Sequence, residues 1–351
     1  MYASEKLMNF RWISKIFATH STYVLSDEDL APAALNTELS ELGQFAELAY
    51  SIVPPGFLLQ NFMVLADHNY PLEGYTALRG AIFVSSFKGH TAKLPGYVAY
   101  RPLTKQLVVA ISGTSSVQQA YHDIRTLKHR HPSKRGQVHS GFWDLYKGVK
   151  PLALDGIRKG IEECDVSELC ITGHSMGGSM AYLLCMDLLT PDNTYKIPLS
   201  ARLRLKIVTF GAPRTGNHEL VTYWQELLKL HRDTYGQRAV IEHSVKAYND
   251  GVPALPPARF GFQHFSQEPL YVAMGRTYQV PTAESEHAIF TVSPPLDGEL
   301  VAPNFPRGGH NYYNNRDIER LSRRLGWLGQ AEPEKDGWEG RYRRLAHKHQ
   351  A

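Results

Sequence analysis

Hydrophobic positions along the chain fall into two alternating kinds of run. From Thr37, "TELSELGQFAELAYSIV" places Leu39, Leu42, Phe45, Ala46 and Tyr50 on one face, which predicts an amphipathic helix. "GAIFVSSF" and "PGYVAYRP" then read as strands, and "KQLVVAISGT" as a buried strand ending in a glycine loop. After a basic, turn-rich stretch, "VHSGFWDLYKGVKPLALDGIRKGI" reads as an entry turn and a helix. Strand "ELCITG" leads into helix "GGSMAYLLCMDLL", and strand "RLKIVTFGAP" into helix "GNHELVTYWQELLKLH". Strand "HSVKAYND" stops at "GVPALPP", and "GFQHFSQEPLYVA" with "GRTYQV" predicts a hairpin at a sheet edge. Strands alternating with helices over this length predict an α/β fold, a mostly parallel central sheet flanked by helices.

No repeat or linker divides the pattern. It suggests an N-terminal extension over residues 1–37, one domain over 38–328, and a polar C-terminal tail over 329–351 that should be mobile. Lysine and arginine number 38 against 34 acids, and a net charge of +4 is too small to argue for nucleic acid. Cys164, Cys170 and Cys185 are odd in number and lack CxxC spacing, so they read as reduced thiols rather than a disulfide framework or a metal site. Lys6, Arg11 and Lys15 interrupt the apolar positions near the N-terminus, which argues against a signal peptide. The expectation is an intracellular protein, cytoplasmic or peripherally membrane-associated, with no transmembrane segment. "FRWISKIF" has the character of a short basic amphipathic turn that could lie on a lipid surface.

Chemistry enters at "LCITGHSMGG". Gly-x-Ser-x-Gly between a strand and a helix is the pattern of a nucleophile elbow, in which a strained turn lifts Ser175 out of the sheet and Gly173 and Gly177 leave room for it. The bland alternative is a small-residue turn packing helix on strand. A serine nucleophile needs a base and an orienting acid, and in such sheets the acid and then the histidine follow the serine. Asp250 ends a strand at the carboxyl edge, although it would also serve to cap the turn "NDGVP". Of the later histidines, His310 in the glycine-flanked loop "PRGGHNYYNN" is favoured over His264 and His287. Thr114, after the early strand, and Met176, after the serine, stand where an oxyanion would find its N–H donors. No metal or organic cofactor is required.

Taken together, "VVAISGTSS", "VHSGFWDLY", "ITGHSMGGSMA", "VTFGAPRTGN", "NDGVPALPP" and "GGHNYY" resemble the fungal-type triacylglycerol lipases, or class 3 lipases, of the α/β-hydrolase fold, over roughly residues 38–325. The resemblance implies a triad of Ser175, Asp250 and His310 with Thr114 and Met176 at the oxyanion hole. It also implies a lid over about Ser116–Arg125 and a non-catalytic role for His264. Ser112 stands where members commonly carry arginine, and the lid segment is unusually polar. The function expected is a serine carboxylic-ester hydrolase, foremost a lipase on acylglycerols. A short-acyl or feruloyl-type esterase and an inactive lipase-like scaffold are the alternatives. Arg125, Lys128, Arg130, Lys134 and Arg135 form a basic run that suits either anionic lipid or a solvated loop.

Overall fold

The longest apolar runs become the middle of the sheet. The computed structural model describes residues 10–17, 19–113, 127–191, 197–294, 304–305, 307–313 and 315–349. Its strands are β1 (His20–Leu25), β2 (Ile82–Lys88), β3 (Pro95–Arg101), β4 (Gln106–Ile111), β5 (Lys128–Arg130), β6 (Gln137–His139), β7 (Glu168–His174), β8 (Arg204–Phe210), β9 (Val240–Ala247), β10 (Leu270–Ala273), β11 (Arg276–Gln279) and β12 (Ile289–Val292). Eight of these form one sheet in the order β11-β10-β9-β8-β7-β4-β3-β2. From β10 to β4 the pairing is parallel, whereas β2, β3 and β4 form an antiparallel flank. Every residue of β4 and β7 is buried, as expected of strands covered on both faces. The expected edge hairpin is β10 with β11.

The helices are α1 (Arg11–Phe17), α2 (Ala33–Leu48), α3 (Ser140–Glu163), α4 (Met176–Leu189), α5 (His218–Tyr235), α6 (Ile318–Gln330) and α7 (Trp338–Lys348), with shorter turns between them. On one face α3, α4 and α5 close a core around Phe142, Met180 and Trp224. The other face is closed by α2, α6 and α7 around Phe45, Leu321 and Tyr342. Almost all of α4 is buried, so it lacks a polar side; it is a central helix between sheet and neighbours. In α2 the residues Leu39, Leu42, Phe45 and Ala46 are buried as their spacing implied. That helix begins at Ala33 instead of near Thr37, whose hydroxyl bonds back to the Ala33 carbonyl, and it ends before Tyr50.

Both ends of the described chain are better anchored than their composition suggested. The C-terminal stretch, expected as a mobile polar tail, forms α7. Tyr342 stacks on Tyr70 with ring centroids 5.2 Å apart, and Ala346 is buried beside it. Four apolar residues of an otherwise charged helix, Trp338, Tyr342, Leu345 and Ala346, carry this docking, a signal that charge counts conceal. At the other end α1 packs on the loop after β9, and β1 pairs in parallel with β12. All three cysteines are free thiols. Among the described residues, no helix is long and apolar enough to cross a membrane.

Candidate active site

The parallel strands β4, β7, β8 and β9 deliver their carboxyl ends to one edge, and the chemistry gathers there. At the end of β7, Ser175 has φ 60° and ψ −133°, the strained conformation of a strand-to-helix turn. Its amide donates to the Phe210 carbonyl of β8 at 2.8 Å, which ties the turn to the neighbouring strand. The two flanking glycines are required by space. A Cβ on Gly173 would lie 2.3 Å from the Gly177 carbonyl carbon, and one on Gly177 would lie 2.0 Å from the Ile111 carbonyl oxygen. Met176 opens α4, so its N–H belongs to the first turn, where no i−4 carbonyl exists.

Asp250 follows β9 and is fully buried. One carboxylate oxygen, Oδ1, accepts from the Val252 amide at 2.8 Å. The other, Oδ2, accepts from His310 Nδ1 at 2.9 Å and from the Tyr313 hydroxyl at 2.5 Å. Asp250 thus bonds the following turn through one oxygen and His310 through the other. Because an ionised carboxylate only accepts, His310 donates from Nδ1, and the lone pair of its imidazole is left on Nε2. His310 Nε2 and Ser175 Oγ are both buried, and neither has a hydrogen-bond partner among the described residues. Buried polar atoms are seldom left so, and a functional site is one reason they are.

Three further residues hold this arrangement, and none stood out in the sequence. Tyr313 is one; burial, with Asp250 beside it, raises its hydroxyl well above the usual tyrosine range. His174, next to the serine, bridges two loops: Nε2 donates to the His310 carbonyl at 2.8 Å, and Nδ1 meets the Tyr50 hydroxyl at 2.8 Å. Burial, reinforced by nearby His310, holds His174 far below the ordinary histidine range, so it is neutral and Nδ1 accepts. Tyr50 in turn accepts from the Gly113 amide at 2.9 Å, pinning the loop that leads to Thr114. No sequence signal separates Tyr50 from any tyrosine ending a helix.

Other candidates find different places. His264 is buried with Nε2 donating to the Pro253 carbonyl at 2.9 Å, a structural bond away from Ser175, and His287 pairs with Glu284. Ser112 is buried and its hydroxyl donates to the Pro95 carbonyl at 3.1 Å, closing β4 on β3. Thr114 and the segment expected as a lid, like Arg125, lie outside the described residues. Of the remaining basic run, Arg135 pairs with Glu226 at 2.6 Å and Lys128 sits 5.0 Å over the Phe262 ring. No cluster of residues suited to a metal ion occurs among the described residues.

A mostly parallel sheet with a serine in the strand-to-helix turn after a central strand is the architecture of the α/β-hydrolase fold. Comparison with known proteins narrows this. Residues 108–260 match the family model described as lipase (class 3). A lipase of Rhizopus niveus is 26% identical over 204 residues, covering 58% of this chain and 48% of that protein. A secreted mono- and diacylglycerol lipase of Malassezia globosa is 28% identical over 198 residues, covering 53% and 59%. Among solved structures, a triacylglycerol lipase with a serine protease triad as its catalytic centre superposes with a TM-score of 0.61 at 21% identity, covering 84% of this chain and 99% of that one. Over residues 108–260 the chain is similar to the class 3 lipases. It spans roughly half the length of the curated relatives it matches.

Proposed function

We propose that the protein is a serine carboxylic-ester hydrolase, a lipase acting on acylglycerols. The observation that carries this reading is the pairing of His310 Nδ1 with buried Asp250 while His310 Nε2 and Ser175 Oγ stand buried without partners among the described residues. In the mechanism this supports, Nε2 takes the Ser175 proton as Oγ attacks the ester carbonyl. Asp250 holds the tautomer and stabilises the imidazolium, and the Tyr313 hydroxyl fixes the carboxylate. The Met176 amide, with Thr114, receives the oxyanion; losing one such donor costs on the order of 10²–10³ in turnover. His310 then protonates the leaving alcohol, and water repeats the sequence on the acyl-enzyme. No step calls for a metal or cofactor.

Val252, Ala254 and Leu255 after the acid offer an apolar surface for an acyl chain. Of the two settings open to such an enzyme, three free cysteines support an intracellular one, cytoplasmic or at a membrane surface. The Malassezia globosa relative is described as secreted. Hydrolysis of p-nitrophenyl esters from acetyl to palmitoyl, with Ser175→Ala as the control, tests the reading. A serine-dependent rate rising toward long chains is expected. A peak at short acyl groups means an esterase, and no serine-dependent rate on any ester means a binding scaffold.

A further inference from the structure

The nucleophile and the base are closed to solvent: Ser175 is 0% and His310 1% exposed. No ester can reach Ser175 Oγ without something moving. Part of the cover is the chain's own N-terminal segment. The Phe10 ring meets His310 edge-on, with centroids 5.4 Å apart. Ile13 is buried with Phe10 against Val252 and Leu255, and Phe17 packs on the same patch. The Ser14 hydroxyl lies 2.9 Å from Asn249 Oδ1, whose amide nitrogen is held by the Arg307 carbonyl. At Gly251 the segment touches the backbone itself: a Cβ there would lie 2.5 Å from Ile13 Cβ and 2.6 Å from the Phe10 carbonyl oxygen. Phe10 holds this position at φ 50°, a left-handed conformation that a phenylalanine keeps only where packing imposes it.

The outer side of the same turn is of opposite character. Trp12 is 44% and Ile16 64% exposed, and Lys15 is exposed beside them. These positions share one helical side, away from buried Ile13 and Ser14. An indole, a branched aliphatic chain and an ammonium group on one side of a helix suit the interface of an anionic bilayer.

We propose that residues 10–17 are a self-blocking strap that lies on the base and on the acyl-chain surface, and that an anionic lipid surface draws away by engaging Trp12, Lys15 and Ile16. The inference rests on the hydrolase reading, since it assigns Val252 and Leu255 to the acyl chain. Access to Ser175 is then coupled to the surface that bears the substrate, through the N-terminus.

The rate at which a fluorophosphonate probe labels Ser175 reads this directly. The full chain in solution should label slowly, and Phe10→Ala should label at least about tenfold faster, as expected when an open state of a few per cent or less becomes dominant. Gly251→Ala, which evicts the strap without changing its residues, should also accelerate labelling. Damage near Asp250 would slow the reaction, so only eviction gives a rise. Vesicles of phosphatidylcholine mixed with phosphatidylglycerol should accelerate the unaltered chain, and the Trp12→Ala/Ile16→Ala double variant should lose that response. Equal labelling rates in the unaltered chain and both strap variants would overturn the strap. An undiminished vesicle response in the double variant, or equal acceleration by phosphatidylcholine alone, overturns the release by anionic lipid. No labelling of any form above the Ser175→Ala background overturns the hydrolase reading instead.

Discussion

The two ends of the parallel sheet both bury polar side chains, and they treat them in opposite ways. At the amino edge, Glu168 accepts from Gln106 Nε2 at 2.6 Å and pairs with Lys206 at 3.0 Å. Lys206 also pairs with Glu38, and Arg101 joins Gln106 at 2.7 Å to Glu41 at 2.5 Å. Each charge there has its counter-charge. At the carboxyl edge Asp250 is equally well served, yet among the described residues the chain of bonds stops at His310 and leaves Nε2 and Ser175 Oγ open. Folding favours the closed network. An open one persists only where the surrounding fold holds it, as the Ser175 turn is held between β7 and β8.

The contrast is sharpest if the two edges fail in different currencies. Ser175→Ala should lower ester hydrolysis by about 10⁶ while the melting temperature stays unchanged, measured by paired kinetics and calorimetry. Asp250→Asn should cost about 10⁴ in kcat by favouring the wrong imidazole tautomer, again in folded protein. At the amino edge Glu168→Ala should do the reverse: it leaves buried Lys206 with Glu38 alone and takes the acceptor from Gln106 Nε2, destabilising by about 2 kcal/mol in denaturant titration with kcat nearly intact. A fall in kcat as large as that of Asp250→Asn would break the comparison.

Smaller effects refine it. Tyr313→Phe removes one charge-assisted hydrogen bond from Asp250, and kcat should drop about tenfold with KM unchanged. A last test concerns Glu242, half-buried on β9 between β8 and the edge hairpin, where the Tyr182 hydroxyl donates at 2.8 Å. Burial pushes its carboxyl up to about 7 from an ordinary 4.5. Between those values the folded protein holds a proton that the unfolded chain has released, so stability falls as pH rises from about 4.5 to about 7. Glu242→Gln should flatten that slope of melting temperature against pH, and an unchanged slope would place the titration elsewhere.

Much of the candidate site was legible locally. The elbow is a five-residue steric requirement, so glycines at 173 and 177 and an apolar run before them suffice to locate Ser175. Chain order then selected Asp250, and a glycine-flanked loop selected His310 from a crowd of histidines. Strand and helix alternation likewise specified the sheet, because burial on both faces leaves continuous apolar runs such as β4 and β7. What only the tertiary structure decided are contacts between residues far apart in the chain. Tyr50 reaches His174, Tyr313 reaches Asp250, Tyr342 stacks on Tyr70, and Phe10 lies on His310. Periodicity reports which face of an element is buried, but not which distant partner buries it; a single aromatic in a polar terminus acquires its meaning only when the fold brings that partner within a few ångströms.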